Sequence, residues 1–144
     1  MYEKLLSMLY ALKLGASDTH YWVKGDSFWG DHKFADYIRN GEDDDDHILD
    51  DYIDAINEVC FLGAKKPTPY SKDIIEAAIK YIPVKVSEEK LMFHNLGKLI
   101  YDILSLIENI IPEASTGEAN LLGNIAQDLQ QRYGLIQKRV SYSV

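Results

Sequence analysis

Five residues in this 144-residue chain have types and spacings that suit transition-metal chemistry: His20, His32, Asp36, Asp54 and Glu58. His32 and Asp36 stand four apart, as do Asp54 and Glu58, so each pair projects from one face of a helix. Imidazole and carboxylate together bind borderline divalent metals, with non-haem iron a common case. Spacing alone leaves a second reading open for each pair. In a chain with 23 acidic residues, Asp54 and Glu58 are also the pattern of a solvated surface, and His32 with Asp36 that of a surface ion pair. The chain has no Glu-x-x-His, which excludes the conventional di-iron site in a bundle core. The five residues come mainly from one long segment, and a single straight helix cannot gather them; a second subunit could. Of the other histidines, His94 is given no function, and His47, beside the aspartate run, is either a further ligand or part of a solvated acidic loop.

The elements that must position these residues follow from the apolar periodicity. Residues 2 to about 23 carry Leu5, Leu9, Leu12 and Ala16 on one helical stripe, and His20 lies one turn further along it. After Gly25, with Asp26 or Ser27 as a cap, a long helical pattern runs toward LGAKKPTP at 62 to 69, where Gly63, Pro67 and Pro69 stop it. NGEDDDDH, residues 40 to 47, interrupts that pattern: Asn-Gly favours a turn, and four successive aspartates repel one another. A short helix is expected over Ser71 to Ile82 before Pro83. A third long helix runs from Ser87 to Pro112, with Leu96, Leu99, Ile100, Ile103, Ile107 and Ile110 on its apolar face. The fourth starts around Thr116, in the capping pattern TGEA, and spaces Leu121, Leu122, Ile125, Leu129, Arg132 and Ile136 helically. No segment competes as a strand. The expectation is an all-α fold, a ferritin-like four-helix bundle with a short extra helix in the crossover between helices 2 and 3.

Length and charge narrow the function classes. A chain of this size suits one compact domain spanning residues 1–144. The net charge of −8 and the lack of basic clusters beyond KRV at 138 to 140 argue against a surface built for nucleic-acid phosphates; they favour small cations. Cys60 has no partner for an internal disulfide and sits among Val59, Phe61 and Leu62, which suits a buried thiol in a reducing compartment. The first residues, MYEKLLSMLYALKLGAS, are too short to span a membrane and lack a basic leader, so a cytoplasmic location is expected.

HYWVKGDSFWGDHKFAD, residues 20 to 36, resembles the signature of the Dps family of mini-ferritins: a histidine near the end of the first helix, an aromatic, a basic-glycine turn, and a second histidine four before an aspartate. DAINEVCFLGAKKP is similar to the family's next element, an aspartate and glutamate four apart followed by a Leu-Gly-Gly-like stop, and TGEANLLGNIAQDLQQRYGLIQKRV looks like its last helix. The resemblance covers most of the chain. It implies a ferroxidase site at a twofold interface, with His20, His32 and Asp36 from one subunit and Asp54 and Glu58 from its partner. It also implies two irons per site, a hollow dodecamer that oxidises Fe(II) with hydrogen peroxide and stores ferric iron, and Trp22 packed beside the site.

Two features depart from that pattern. Asp36 and Asp54 are eighteen residues apart, about seven more than the family has, or roughly 10 Å of helical rise. NGEDDDDH is expected to loop out, and this bears on the placement of Asp54 and Glu58. The family's lysine-rich DNA-binding tail has no counterpart, so DNA binding is not expected. The rival readings are a ferritin-like structural or interaction protein with a degenerate metal site, and a small helical regulator whose acidic loop binds a basic partner.

Overall fold

The computed structural model describes residues 1–24, 28–41, 47–61 and 71–141. Every regular element among them is helical: α1 (Tyr2–Trp22), α2 (Phe28–Asn40), α3 (Ile48–Val59), α4 (Lys72–Ile79), α5 (Glu89–Ile110) and α6 (Thr116–Ser141), with a 3-10 turn at Ile111–Glu113. The all-α expectation holds, and the helices fall where the apolar periodicity puts them.

The second long segment is two helices. Asn40 ends α2, and Gly41 follows with φ +93, its N–H donating to the Tyr37 carbonyl at 2.9 Å. A left-handed glycine placed this way closes a helix, because a side chain there would clash with its own backbone. Ile48 then opens α3, so no continuous helix carries Asp36 and Asp54. The acidic residues 42–46 lie outside the described residues, and so do the expected cap at Asp26 or Ser27 and the stop at 62–69.

One apolar cluster draws on all six α-helices. From α1 it takes Leu5, Leu9, Leu12 and Ala16, and from α5 Leu96, Leu99, Ile100, Ile103, Ile107 and Ile110, the stripes the periodicity marks. α1 lies against α2, α3, α4 and α5, while α6 packs on α5 and α3. The capping box of α6 begins one residue before the expected TGEA. The Glu118 N–H donates to Ser115 Oγ at 3.2 Å, and the Ser115 N–H reaches Glu118 Oε1 at 3.4 Å. Only Ser115 has a glutamate three positions on, as the reciprocal pair requires.

α5 and α6 approach closely at Gly97, where an added Cβ would stand 2.9 Å from Ile136 Cγ2. Ile136 is fully buried and β-branched, so it has little freedom to yield. Gly97→Val is therefore expected to lower stability by about 2 kcal/mol through overpacking, read as a lower urea midpoint at unchanged slope.

No helix among the described residues is long and apolar enough to cross a membrane.

Candidate metal centre

The buried stripe of α1 ends at His20, and α2 runs back beside it, so that His32 comes to rest on His20. The two imidazole rings lie 3.6 Å apart between centroids with a 31° tilt. Each ring also meets the other residue's main chain: His20 Nδ1 is 3.2 Å from the His32 carbonyl, and His32 Nδ1 is 2.9 Å from the His20 carbonyl. With Nδ1–H donating in both rings, the ligating lone pair of each falls on Nε2. A carbonyl bonded to the far nitrogen is also how metal-binding histidines are commonly oriented.

One turn beyond His32, Asp36 completes the group. A ligand atom from each of His20, His32 and Asp36 lies within 4.8 Å of the others, and this is the one such His/Cys/Asp/Glu group among the described residues. Asp36 Oδ1 stands 2.9 Å from His20 Nδ1, yet it is buried and accepts no hydrogen bond. Buried carboxylate oxygens normally accept hydrogen bonds, and one that stands beside two imidazoles and accepts none fits a cation-binding role. Two histidines and one carboxylate are also the donor set of non-haem Fe(II) sites.

Asp54 and Glu58 do not join this group. Both are exposed on the outer face of α3, whose opposite face buries Leu49, Tyr52, Ile53 and Ile56. His47 is exposed at the N-cap of α3. His94 is exposed on α5 and lines a cleft of about 320 Å³ with Lys98, Tyr101, Tyr133 and Gln137. Neither histidine is near enough to other ligand types to make a second group among the described residues.

Trp22 departs from expectation. Its indole N–H donates to the Val86 carbonyl at 2.8 Å, and Lys85 Nζ lies 4.6 Å from the ring, so the side chain faces the crossover. Residues two apart on a helix point about 200° apart, so Trp22 cannot share the face of His20. Besides His32, the ring of Tyr21 meets His20, edge-on at 4.8 Å, and is 81% exposed.

Comparison with family models, curated proteins and solved structures finds no match for the chain. The chemistry of the site therefore rests on its own geometry.

Three residues that sequence reasoning passed over brace the site. Arg39 Nη2 is 3.6 Å from Asp36 Oδ1, while its Nη1 donates to Ser17 Oγ and its Nε to Asn40 Oδ1, both at 3.1 Å. Its position three after Asp36 is a signal the sequence does contain. Asp31, next to His32 and only 4% exposed, takes two hydrogen bonds from Arg139, from Nε at 2.8 Å and Nη2 at 2.9 Å. That bidentate contact raises the Arg139 pKa further above its ordinary value. A separation of 108 residues hides this pair from any local pattern.

The remaining perturbed groups lie elsewhere. Tyr2 donates to Glu118 and Tyr52 to Asp128; burial first, then these bonds, raise both phenol pKa values, and the Tyr2 bond lowers that of Glu118. Cys60 is half-buried beside Tyr2 rather than fully enclosed, and burial followed by the Glu118 charge pushes its thiol from 9.0 up to about 11. A folded pKa raised this way contributes stability below pH 9 that is lost as pH rises toward 11. At pH 8 the thiolate fraction is about a hundredfold below that of the unfolded chain. Iodoacetamide is accordingly expected to label the native protein about a hundredfold more slowly than the protein in urea.

Proposed function

We propose that the protein is a mini-ferritin of the Dps type, which binds Fe(II), oxidises it with hydrogen peroxide and stores the ferric product in a hollow homo-oligomer. The observation that carries this reading is the group formed by His20, His32 and Asp36, in which a buried carboxylate oxygen without a hydrogen bond stands beside two oriented imidazoles. The helix order supports it as well. α1, the α2–α3 pair, α6 and α5 each touch the next and close a ring, with short α4 in the crossover, as a ferritin-like bundle requires.

Fe(II) is the substrate. His20, His32 and Asp36 hold one iron, and exposed Asp54 and Glu58 of a second copy supply the acidic side of the site for the other. Two Fe(II) give one electron each, and peroxide takes both with two protons to form two waters, so no hydroxyl radical is released. The protein's part is to hold the pair at one place and exclude single-electron release.

A ferritin-like protein with a degenerate site is the second reading, favoured by the distance of Asp54 and Glu58 from the group within one chain. Anaerobic loading with Fe(II), followed by a peroxide pulse, separates the two. Rapid rise of ferric absorbance with iron remaining soluble and co-eluting with a large assembly is the expected result. Ferric precipitate at the rate seen without protein would overturn the proposal.

A further inference from the structure

We propose that Arg39 holds the metal affinity of the His20, His32 and Asp36 group low, by standing as a fixed cation beside Asp36; the inference rests on reading that group as a metal site. Its Nη2 lies 3.6 Å from Asp36 Oδ1, the same oxygen that faces His20 Nδ1. The guanidinium does not depend on Asp36 for its position. Ser17 Oγ and Asn40 Oδ1 both accept from it, and Ser17 is itself anchored by donating to the Lys13 carbonyl at 2.8 Å. Asn40 is buried.

A dication that takes Asp36 as ligand therefore arrives next to a positive charge that stays where it is. The two cations repel, and they share the electron density of one carboxylate. Asp36 and Arg39 are each about a quarter exposed, so solvent screens the repulsion without removing it. The consequence is a site that accepts an ion and gives it up, as suits iron in transit to a store. A permanent cofactor would call for the opposite arrangement, a ligand set with no competing cation.

The direction of this effect sets it apart from a structural role. Losing a structural contact loosens a metal site, whereas losing this cation should tighten it. The test is anaerobic Co(II) titration of the full-length protein at low ionic strength, followed by calorimetry and by the visible ligand-field bands. Wild type is compared with Arg39→Met, Arg39→Gln, Arg39→Lys and His32→Ala, with far-UV circular dichroism on each. The Gln amide nitrogen falls where Arg39 Nε donates to Asn40 Oδ1, so the Gln variant serves if the Met variant folds poorly.

The expected result is about tenfold tighter Co(II) binding in the two neutral variants. Lys, which keeps the charge, should stay near wild type, and added salt should narrow the gap. Equal or weaker binding in both neutral variants, with wild type still binding through His32, would overturn the inference and leave the metal site standing. No difference between wild type and His32→Ala would overturn the metal reading itself, and this inference with it.

Discussion

The variant His32→Ala, Asp36→Ala is expected to oxidise Fe(II) no faster than peroxide does in free solution and to leave the ferric product insoluble. Two of the three clustered ligands are gone in it, and what remains is a single imidazole. Loss of even one outer-shell partner of a metal ligand costs 10- to 100-fold in affinity or activity, so loss of two direct ligands should exceed about a hundredfold. Stopped-flow absorbance of the ferric product, with soluble iron assayed after centrifugation, reads both effects. Fold damage offers no ready explanation for such a loss, because both side chains lie at the rim of the core rather than in it: His32 is partly exposed, and about a quarter of Asp36 is. Asp54→Ala and Glu58→Ala sharpen the point. These residues are exposed on α3, so stability should change by no more than about 0.5 kcal/mol. A fall in oxidation rate in these variants would mark them as ligands supplied across an interface; unchanged rates would confine the site to one chain.

The second large effect is expected from Arg139→Met. It strips the partner from Asp31, whose side chain is only 6% exposed, and leaves a carboxylate stranded between α2 and α6. Breaking a buried ion pair from one side costs 3–5 kcal/mol in full burial; the 27% exposure of Arg139 brings the expectation to about 2–3 kcal/mol. For a chain of this length that corresponds to a fall in melting temperature of roughly 6–10 °C by scanning calorimetry. Arg139→Lys keeps the charge but not the two-pronged geometry, and should recover part of the loss. Asp31→Leu combined with Arg139→Met should lie well above the single variant, because neither charge is then left alone. If Arg139→Met melts with wild type, the pair does not clamp α2. The clamp matters for the site because Asp31 precedes His32 directly, and Arg139 also lies over the ring of Phe93, which stacks on Phe34 of α2.

Apolar periodicity by itself determined the helical elements, since a stripe repeating at 3.6 residues can be buried in only one way along a helix. The stripes of α1 and α5 are accordingly buried as spaced, that of α6 likewise except for half-buried Leu121, and NGEDDDDH marks the break between α2 and α3 because Gly41 can take the left-handed conformation that ends a helix. The pairing of His32 with Asp36 was local too, being set by one helical turn. His20 was legible only as the end of a core stripe; that it would lie 3.6 Å from the His32 ring depends on how α1 and α2 pack, which no local spacing contains. Tertiary structure alone decided that Trp22 reaches the Val86 carbonyl, that Asp31 finds Arg139 across 108 residues, and that Asp36 keeps a buried oxygen with no hydrogen bond. The reason is physical. Helix formation follows from neighbours within one turn, whereas a metal site is made of distances between helices, and those are fixed by the whole core.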